Sequence, residues 1–119
     1  MPSHEIVALD NPHETRTFDK GKMDIATVGP AWMGRVTLEP GWRWSECVKP
    51  IVKTESCQAE HAGVVLAGRL HVAMDDGTEA EAGAGDAYYF APGHDAWVVG
   101  DETYVGIDFT AAEGYAKPG

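Results

Sequence analysis

The chain has 119 residues, of which 44% are hydrophobic, and this length and composition indicate one folded globular domain. Its 19 acidic and 9 basic side chains give a formal net charge of −10. Because such a field repels phosphate backbones, nucleic acid is not expected as a partner. No stretch approaches the roughly 18 consecutive apolar residues of a membrane span, so no membrane association is predicted. Two cysteines are too few for a disulfide framework, which indicates a reduced, cytoplasmic protein.

Polar and turn-forming residues fill the start of the chain. Residues 1–20 are therefore predicted to form an N-terminal arm, residues 21–110 a single barrel domain, and residues 111–119 a C-terminal tail. The 14 glycines and 7 prolines are spread along the whole chain, which disfavours long helices and favours short strands joined by turns.

Short segments of alternating residues follow one another along the barrel domain. They cover residues 23–27, 32–38, 69–74, 78–82, 87–90, 96–99 and 104–109. The turn Asp75-Asp76-Gly77 between two of these segments predicts a β-hairpin. About eight or nine short strands at this spacing predict an all-β sandwich or barrel.

Two glycine-punctuated motifs lie within these strands. The first runs from Cys57 to His61 and closes at Gly68, and the second opens at Gly85 and ends at Ala91-Pro92-Gly93-His94. Together they resemble the two conserved motifs of the cupin superfamily. The resemblance covers roughly residues 35–109 and implies a double-stranded β-helix (jelly-roll) cupin barrel with a metal or ligand site inside.

The first motif aligns with the family in two ways. In one alignment His61 takes the position of the family's glutamate ligand, Cys57 that of its second histidine, and Glu55 that of its first. In the other, Cys47 takes the first ligand position, which requires an inserted loop over residues 48–56. The sequence leaves both alignments open.

The second motif supplies another candidate ligand. The family's histidine position falls on Ala96, and His94 lies two residues earlier, on the same face of a regular strand. Because inward side chains of different strands converge inside a barrel, the candidate metal ligands are His61, His94, Cys57 and Cys47. Imidazole and thiolate favour a divalent transition metal over Mg or Ca. The candidate metals are Zn, Fe, Mn, Ni and Cu.

Aromatic residues surround both motifs and predict a ligand pocket. Trp42, Trp44, Tyr89 and Trp97 are the candidates for its walls, and Arg43 is a candidate for gripping a carboxylate. Aromatic walls of this kind hold an organic molecule or separate a metal from bulk water.

Two functions are compatible with these residues. The resemblance implies a small cytoplasmic cupin that binds a metal in its barrel and acts on a small organic molecule, as an oxygenase, isomerase or decarboxylase. The alternative is a metal-free cupin that binds or senses a small molecule without catalysis, with His61 and His94 as hydrogen-bonding groups. Exposed strand edges and the N-terminal arm predict a homodimer.

Overall fold

The computed structural model describes residues 3–110, which form short strands and two helical turns. The predicted C-terminal tail, residues 111–119, lies outside the described residues. The elements are β1 Glu14–Phe18, β2 Gly21–Val28, β3 Ala31–Leu38, α1 Trp44–Cys47, α2 Lys49–Val52, β4 His61–Ala67, β5 Arg69–Met74, β6 Glu79–Gly83, β7 Ala87–Phe90, β8 His94–Val98 and β9 Tyr104–Asp108. The all-β prediction is confirmed.

The strands form two antiparallel sheets. One has six strands in the order β1-β2-β3-β9-β4-β7, and the other has three in the order β6-β5-β8. The chain passes from the larger sheet to the smaller one at Gly68, between β4 and β5. Gly68 has a φ of +78°, a conformation that favours glycine, and a side chain there would meet the backbone of Tyr104.

A single hydrophobic core lies between the inward faces of the two sheets. Met23 and Val65 of the larger sheet and Val72 of the smaller one are among its fully buried members. Along β8 and β9 buried residues alternate with half-buried ones, as the period-2 pattern predicts. The predicted hairpin is confirmed, because β5 and β6 pair on either side of Gly77, whose φ is +92°.

Part of the predicted N-terminal arm is a strand. β1 pairs with β2 along its full length and forms an edge of the larger sheet. Thr15 donates a hydrogen bond of 2.9 Å to the buried Asp24, which also pairs with Arg35 at 3.0 Å. Arg35 reaches Asp10 as well, at 2.9 Å, so this segment is tied to the sheet by polar contacts. Because the side chains of β1 are mostly polar, this strand lacks the apolar alternation from which the other strands were predicted.

Neither helix among the described residues could cross a membrane, because α1 and α2 have four residues each. The predicted homodimer stays a prediction.

A close approach between β4 and β9 yields a test of this packing. A methyl group added at Gly63 would overlap the carbonyl oxygen of Ile107 on the paired strand. We expect Gly63→Ala to lower the free energy of unfolding by about 3 kcal/mol or more, because backbone atoms would have to move. Chemical denaturation measures the difference.

Gly77→Ala is the matched control. Nothing lies within 4 Å of the methyl group it would add, so only the positive φ opposes it, at a cost of about 1–2 kcal/mol. Equal losses in the two variants would contradict the close packing of β4 against β9.

Candidate metal centre

Three side chains from different segments converge in the interior of the barrel. His61 begins β4 in the larger sheet, and His94 begins β8 in the smaller one. Cys57 lies in the irregular segment before β4, and its backbone forms an isolated bridge with His94. The Cys57 N–H donates to the His94 carbonyl at 2.7 Å, and the Gly93 N–H donates to the Cys57 carbonyl at 2.7 Å. These main-chain bonds hold Cys57 beside His94 independently of any side-chain contact.

The donor atoms of these three residues form a compact cluster. One ligand atom from each of Cys57, His61 and His94 lies within 4.8 Å of the others. Cys57 Sγ is 3.6 Å from His61 Nε2, and the two imidazole ring centres are 5.3 Å apart. Cys57 and His94 are each only 3% exposed, so the cluster is shielded from bulk water.

Both imidazole rings are held by their Nδ1 atoms. His61 Nδ1 lies 2.7 Å from a carboxylate oxygen of Asp108, and His94 Nδ1 lies 2.8 Å from the carbonyl oxygen of Ala91. Because each partner is an acceptor, each Nδ1 donates its hydrogen, which leaves Nε2 as the second nitrogen of the ring. Carboxylate and carbonyl partners at Nδ1 are the contacts that orient metal-binding histidines.

The cluster contains a coupled thiol and imidazole. Burial raises the pKa of Cys57, but hydrogen bonds with His61 and His94 outweigh it and bring the pKa to about 6. Burial lowers the pKa of His61, but hydrogen bonds with Asp108 and Cys57 raise it to about 9. At neutral pH the protein alone therefore holds a thiolate beside an imidazolium, which in turn is bonded to a carboxylate.

This cluster fits the geometry of a bound transition metal. Around a tetrahedral zinc ion with bonds of about 2.3 Å to sulfur and about 2.05 Å to nitrogen, those two ligand atoms lie about 3.5 Å apart. The distance between Cys57 Sγ and His61 Nε2 is 3.6 Å. Three protein ligands of this kind leave a coordination position open, as catalytic sites require.

The cluster forms part of the wall of a small interior cavity of about 40 Å³. Trp42, Trp44, Tyr88, Phe90 and Tyr104 supply aromatic walls, and apolar core residues supply most of the rest. A volume of this size holds about three water-sized groups, so the cavity admits only a very small molecule without rearrangement.

Two glycines make room for tyrosine hydroxyls near the cavity. A methyl group at Gly63 would lie 2.9 Å from the hydroxyl of Tyr88, and one at Gly106 would lie 2.6 Å from the hydroxyl of Tyr104. Burial is the main cause that raises the pKa of Tyr104 to about 12, against a hydrogen bond from Tyr88 that lowers it. The phenol of Tyr104 is therefore neutral at physiological pH.

Of the five predicted pocket residues, only Trp42 and Trp44 line the cavity. The guanidinium of Arg43 lies 4.1 Å from the ring centre of Trp97, and that ring stacks on His71 at 4.7 Å. Strand alternation explains why Trp97 lies outside the cavity, because it points to the face of β8 opposite to His94. Tyr89 is 59% exposed for the same reason and donates a hydrogen bond to Glu60.

Cys47 lies apart from the cluster, so the structure does not bring together all four predicted ligands. It is buried in α1, where its Sγ is 3.8 Å from a carboxylate oxygen of Asp19. Burial raises the pKa of Cys47, the opposite of the shift at Cys57. Glu55, the first ligand in the other alignment, is exposed and pairs with Lys49 at 3.5 Å.

Asp108 is the functional candidate that sequence analysis missed. Asp108 is the last residue of β9, is 1% exposed and bonds to His61. The alternation of the sequence could have identified it, because Tyr104, Gly106 and Asp108 share the inward face of this strand. A carboxylate on an inward face requires a buried partner, and histidine is the natural one.

Comparisons with known proteins support the fold. No protein-family model matches this sequence, and neither does any curated protein. Solved structures do match. A cupin-like protein of Thermotoga maritima has a TM-score of 0.54 at 16% identity, covering 79% of this chain and 71% of its own. A Klebsiella pneumoniae protein with a double-stranded β-helix domain has a TM-score of 0.57 at 16% identity, covering 92% of this chain and 86% of its own.

A third match is an oxalate decarboxylase of Bacillus subtilis, with a TM-score of 0.64 at 16% identity. The alignment covers 93% of this chain and only 30% of that enzyme. Together with the two antiparallel sheets, these matches decide the architecture. The chain has the cupin fold. In this barrel the convergent cysteine and histidines lie in the interior, where the sequence resemblance implied a site. At such low identity the likeness concerns the fold, and the reaction must be argued from the site.

The contact between Asp108 and His61 can be tested without any ligand. We expect Asp108→Asn to lower the pKa of His61 from about 9, because the variant removes the buried negative charge that favours the imidazolium. Nuclear magnetic resonance titration of the imidazole C–H signals measures the change.

Asp95→Asn is the control, since Asp95 lies on the same barrel outside the cavity and bonds to Ser45. A His61 pKa that stays near 9 in Asp108→Asn would contradict the assigned contact.

Proposed function

We propose that this cupin binds a divalent transition metal through Cys57, His61 and His94, and that the metal-loaded cavity acts on a small organic molecule. The observation that carries the proposal is the arrangement of the two imidazoles. Each has its Nδ1 engaged by an acceptor, and the ligand atoms of all three residues lie within 4.8 Å of one another. This arrangement supports metal binding over the metal-free alternative, which would not need a thiolate beside two oriented imidazoles.

The donor set narrows the choice of metal. Thiolate is a soft ligand that favours Zn or Fe(II), whereas Mn prefers carboxylate and other oxygen ligands. The Bacillus subtilis oxalate decarboxylase has Mn(II) centres. The cysteine of this chain therefore argues for Zn or Fe(II) as the native metal, and for a site that differs from the one in that neighbour.

The cavity supports a very small substrate. When bound, a metal at this site would act as a Lewis acid or, if redox-active, would support oxygen chemistry. The surrounding aromatic residues exclude bulk water, and the neutral hydroxyl of Tyr104 is able to donate a hydrogen bond within the cavity. Oxygenase, isomerase and decarboxylase reactions are the candidates, and each would have to take place within a cavity of about 40 Å³.

A metal-bound thiolate also bears on the cellular context. Cys57 coordinates only as a reduced cysteine, and so we propose a reducing compartment, the cytoplasm, as the place of action. The homodimer predicted from the sequence is retained as part of this proposal, with mass measurement in solution as its test.

Metal content across a set of variants tests the ligand assignment. We expect wild type to bind about one zinc per chain, and His61→Ala, His94→Ala and Cys57→Ser to lose most of it, because each removes one of the few ligands. Elemental analysis of protein purified without a polyhistidine tag, then dialysed with zinc, measures the ratio.

Cys47→Ser and His71→Ala are the matched controls, since both residues lie away from the cluster. Each should retain the wild-type zinc content. Circular dichroism checks that every variant is folded, and zinc content equal to wild type in folded His61→Ala would refute the proposed site.

The pH dependence of zinc affinity follows from the two shifted pKa values. Below a pH of about 6 a proton competes for Cys57, and below about 9 one competes for His61. Affinity should therefore rise with pH across this window, by up to about tenfold per pH unit for each proton displaced. Competition with a chromophoric chelator at a series of pH values measures it, and a constant affinity across the window would contradict the assignment.

A second candidate function is favoured by one specific observation. Cys57, His61 and Asp108 form a chain of contacts in the order nucleophile, base and orienting carboxylate, with distances of 3.6 and 2.7 Å. The same residues would support thiolate chemistry on a small electrophile in a protein without metal. The zinc measurement separates the two functions, since a wild type that binds no zinc would leave only thiolate chemistry.

A further inference from the structure

One residue of the cavity wall has a buried hydrogen-bond donor that the metal site does not use. Among buried side-chain nitrogen and oxygen atoms of residues 3–110, Nε1 of Trp42 has no hydrogen-bond partner in the protein. Trp42 is 3% exposed and lies in the cavity wall together with Cys57, His61 and His94. Leaving a buried donor unpaired costs about 1–3 kcal/mol, so such a group calls for an explanation.

The residues around Trp42 show that this donor is an exception. The Nδ1 atoms of His61 and His94 are satisfied by Asp108 and Ala91, and the hydroxyl of Tyr104 bonds to Tyr88. The main-chain N–H of Trp42 is satisfied as well, by the Glu39 carbonyl at 3.1 Å. Among the buried side-chain nitrogen and oxygen atoms of residues 3–110, the indole N–H of Trp42 is thus the one without a partner.

The position of Trp42 is fixed by the backbone. Its carbonyl accepts a hydrogen bond from the Val98 N–H at 3.1 Å, which ties it to the end of β8. The preceding Gly41 has a φ of +93°, and the ring packs against Phe18 with a centroid distance of 6.3 Å. The ring is thus held in place by contacts that do not involve Nε1.

We propose that the indole N–H of Trp42 is the specificity-determining donor of this cavity, and that the ligand is a molecule of about three or four non-hydrogen atoms with an acceptor oxygen, as in a carboxylate or carbonyl group. This rests on the proposed function in that the ligand lies in the same cavity as the metal. The volume limits the size of the ligand, the apolar walls suit its carbon atoms, and Trp42 selects for its oxygen.

A bound metal would determine how tightly the cavity binds a charged carboxylate, as opposed to a neutral carbonyl. A divalent ion beside the ligand would add positive charge to the cavity. A carboxylate should therefore bind more tightly when the metal is present, whereas a neutral carbonyl should bind with or without it.

Three probes of nearly the same shape test the inference. Acetate and acetone each carry an acceptor oxygen on a planar carbon, and 2-methylpropene has a methylene group in place of that oxygen. Each is added to full-length protein labelled with nitrogen-15 at tryptophan, in zinc-loaded and in chelator-treated form. The chain has 4 tryptophans, and Trp42→Phe identifies the indole signal of Trp42.

The expected result is a saturable downfield shift of the Trp42 indole proton with acetone in both forms and with acetate in the zinc-loaded form. 2-Methylpropene should leave that signal without a hydrogen-bond shift. Trp42→Phe keeps an aromatic side chain but removes the N–H, and it should weaken acetate and acetone binding by about tenfold, as the loss of one buried hydrogen bond predicts. Trp97→Phe, outside the cavity, should bind both probes as wild type does.

The possible failures are distinguishable. If neither acetone nor acetate moves the Trp42 signal, if 2-methylpropene moves it equally, or if Trp42→Phe binds both probes like wild type, the role of Trp42 is overturned even when zinc binds normally. If acetone behaves as expected while no zinc binds, the role of Trp42 stands and the metal proposal fails.

Discussion

The buried carboxylate of Asp108 constrains the whole interior of this barrel. At 1% exposure it can remain ionised only with a close partner of opposite charge or strong hydrogen bonds, and His61 at 2.7 Å provides both. That contact fixes the ring of His61, which turns its other nitrogen toward Cys57. The low pKa of the thiol then follows from its neighbours, although burial alone would raise it. One carboxylate thus sets the orientation and the protonation of His61, the residue that links Asp108 to Cys57.

The path of the backbone supports this arrangement. Gly63 lacks a side chain where β4 approaches the Ile107 carbonyl of β9, and Gly63 and Gly106 leave room for two tyrosine hydroxyls beside the site. The main-chain bridge between Cys57 and His94 holds these two residues side by side. Main-chain contacts therefore bring the residues of the cluster together, and the contacts of Asp108 and Ala91 orient the two imidazole rings.

The fold was predictable from sequence because alternation and turn glycines are local signals. The hairpin at Gly77 and the inward face of β8 follow from patterns a few residues long. Two members of the cluster, His61 and His94, were predictable from motif position. The choice between Cys47 and Cys57 was not, since it depends on a bridge between segments that are far apart in the chain. Alternation also explains why Trp97 lies outside the cavity, because the aromatic clusters contain residues of both parities and only one parity faces inward.

The cluster also spans the junction of the two sheets. His61 belongs to the six-stranded sheet and His94 to the three-stranded one, so an ion bound to both would act as a cross-link between the halves of the barrel. Such a link resists separation of the sheets, and its contribution grows with the concentration of free ion relative to the dissociation constant. The lifetime of the protein in a cell would then follow the supply of its metal, and molecules that remain empty would be the first to open and be degraded.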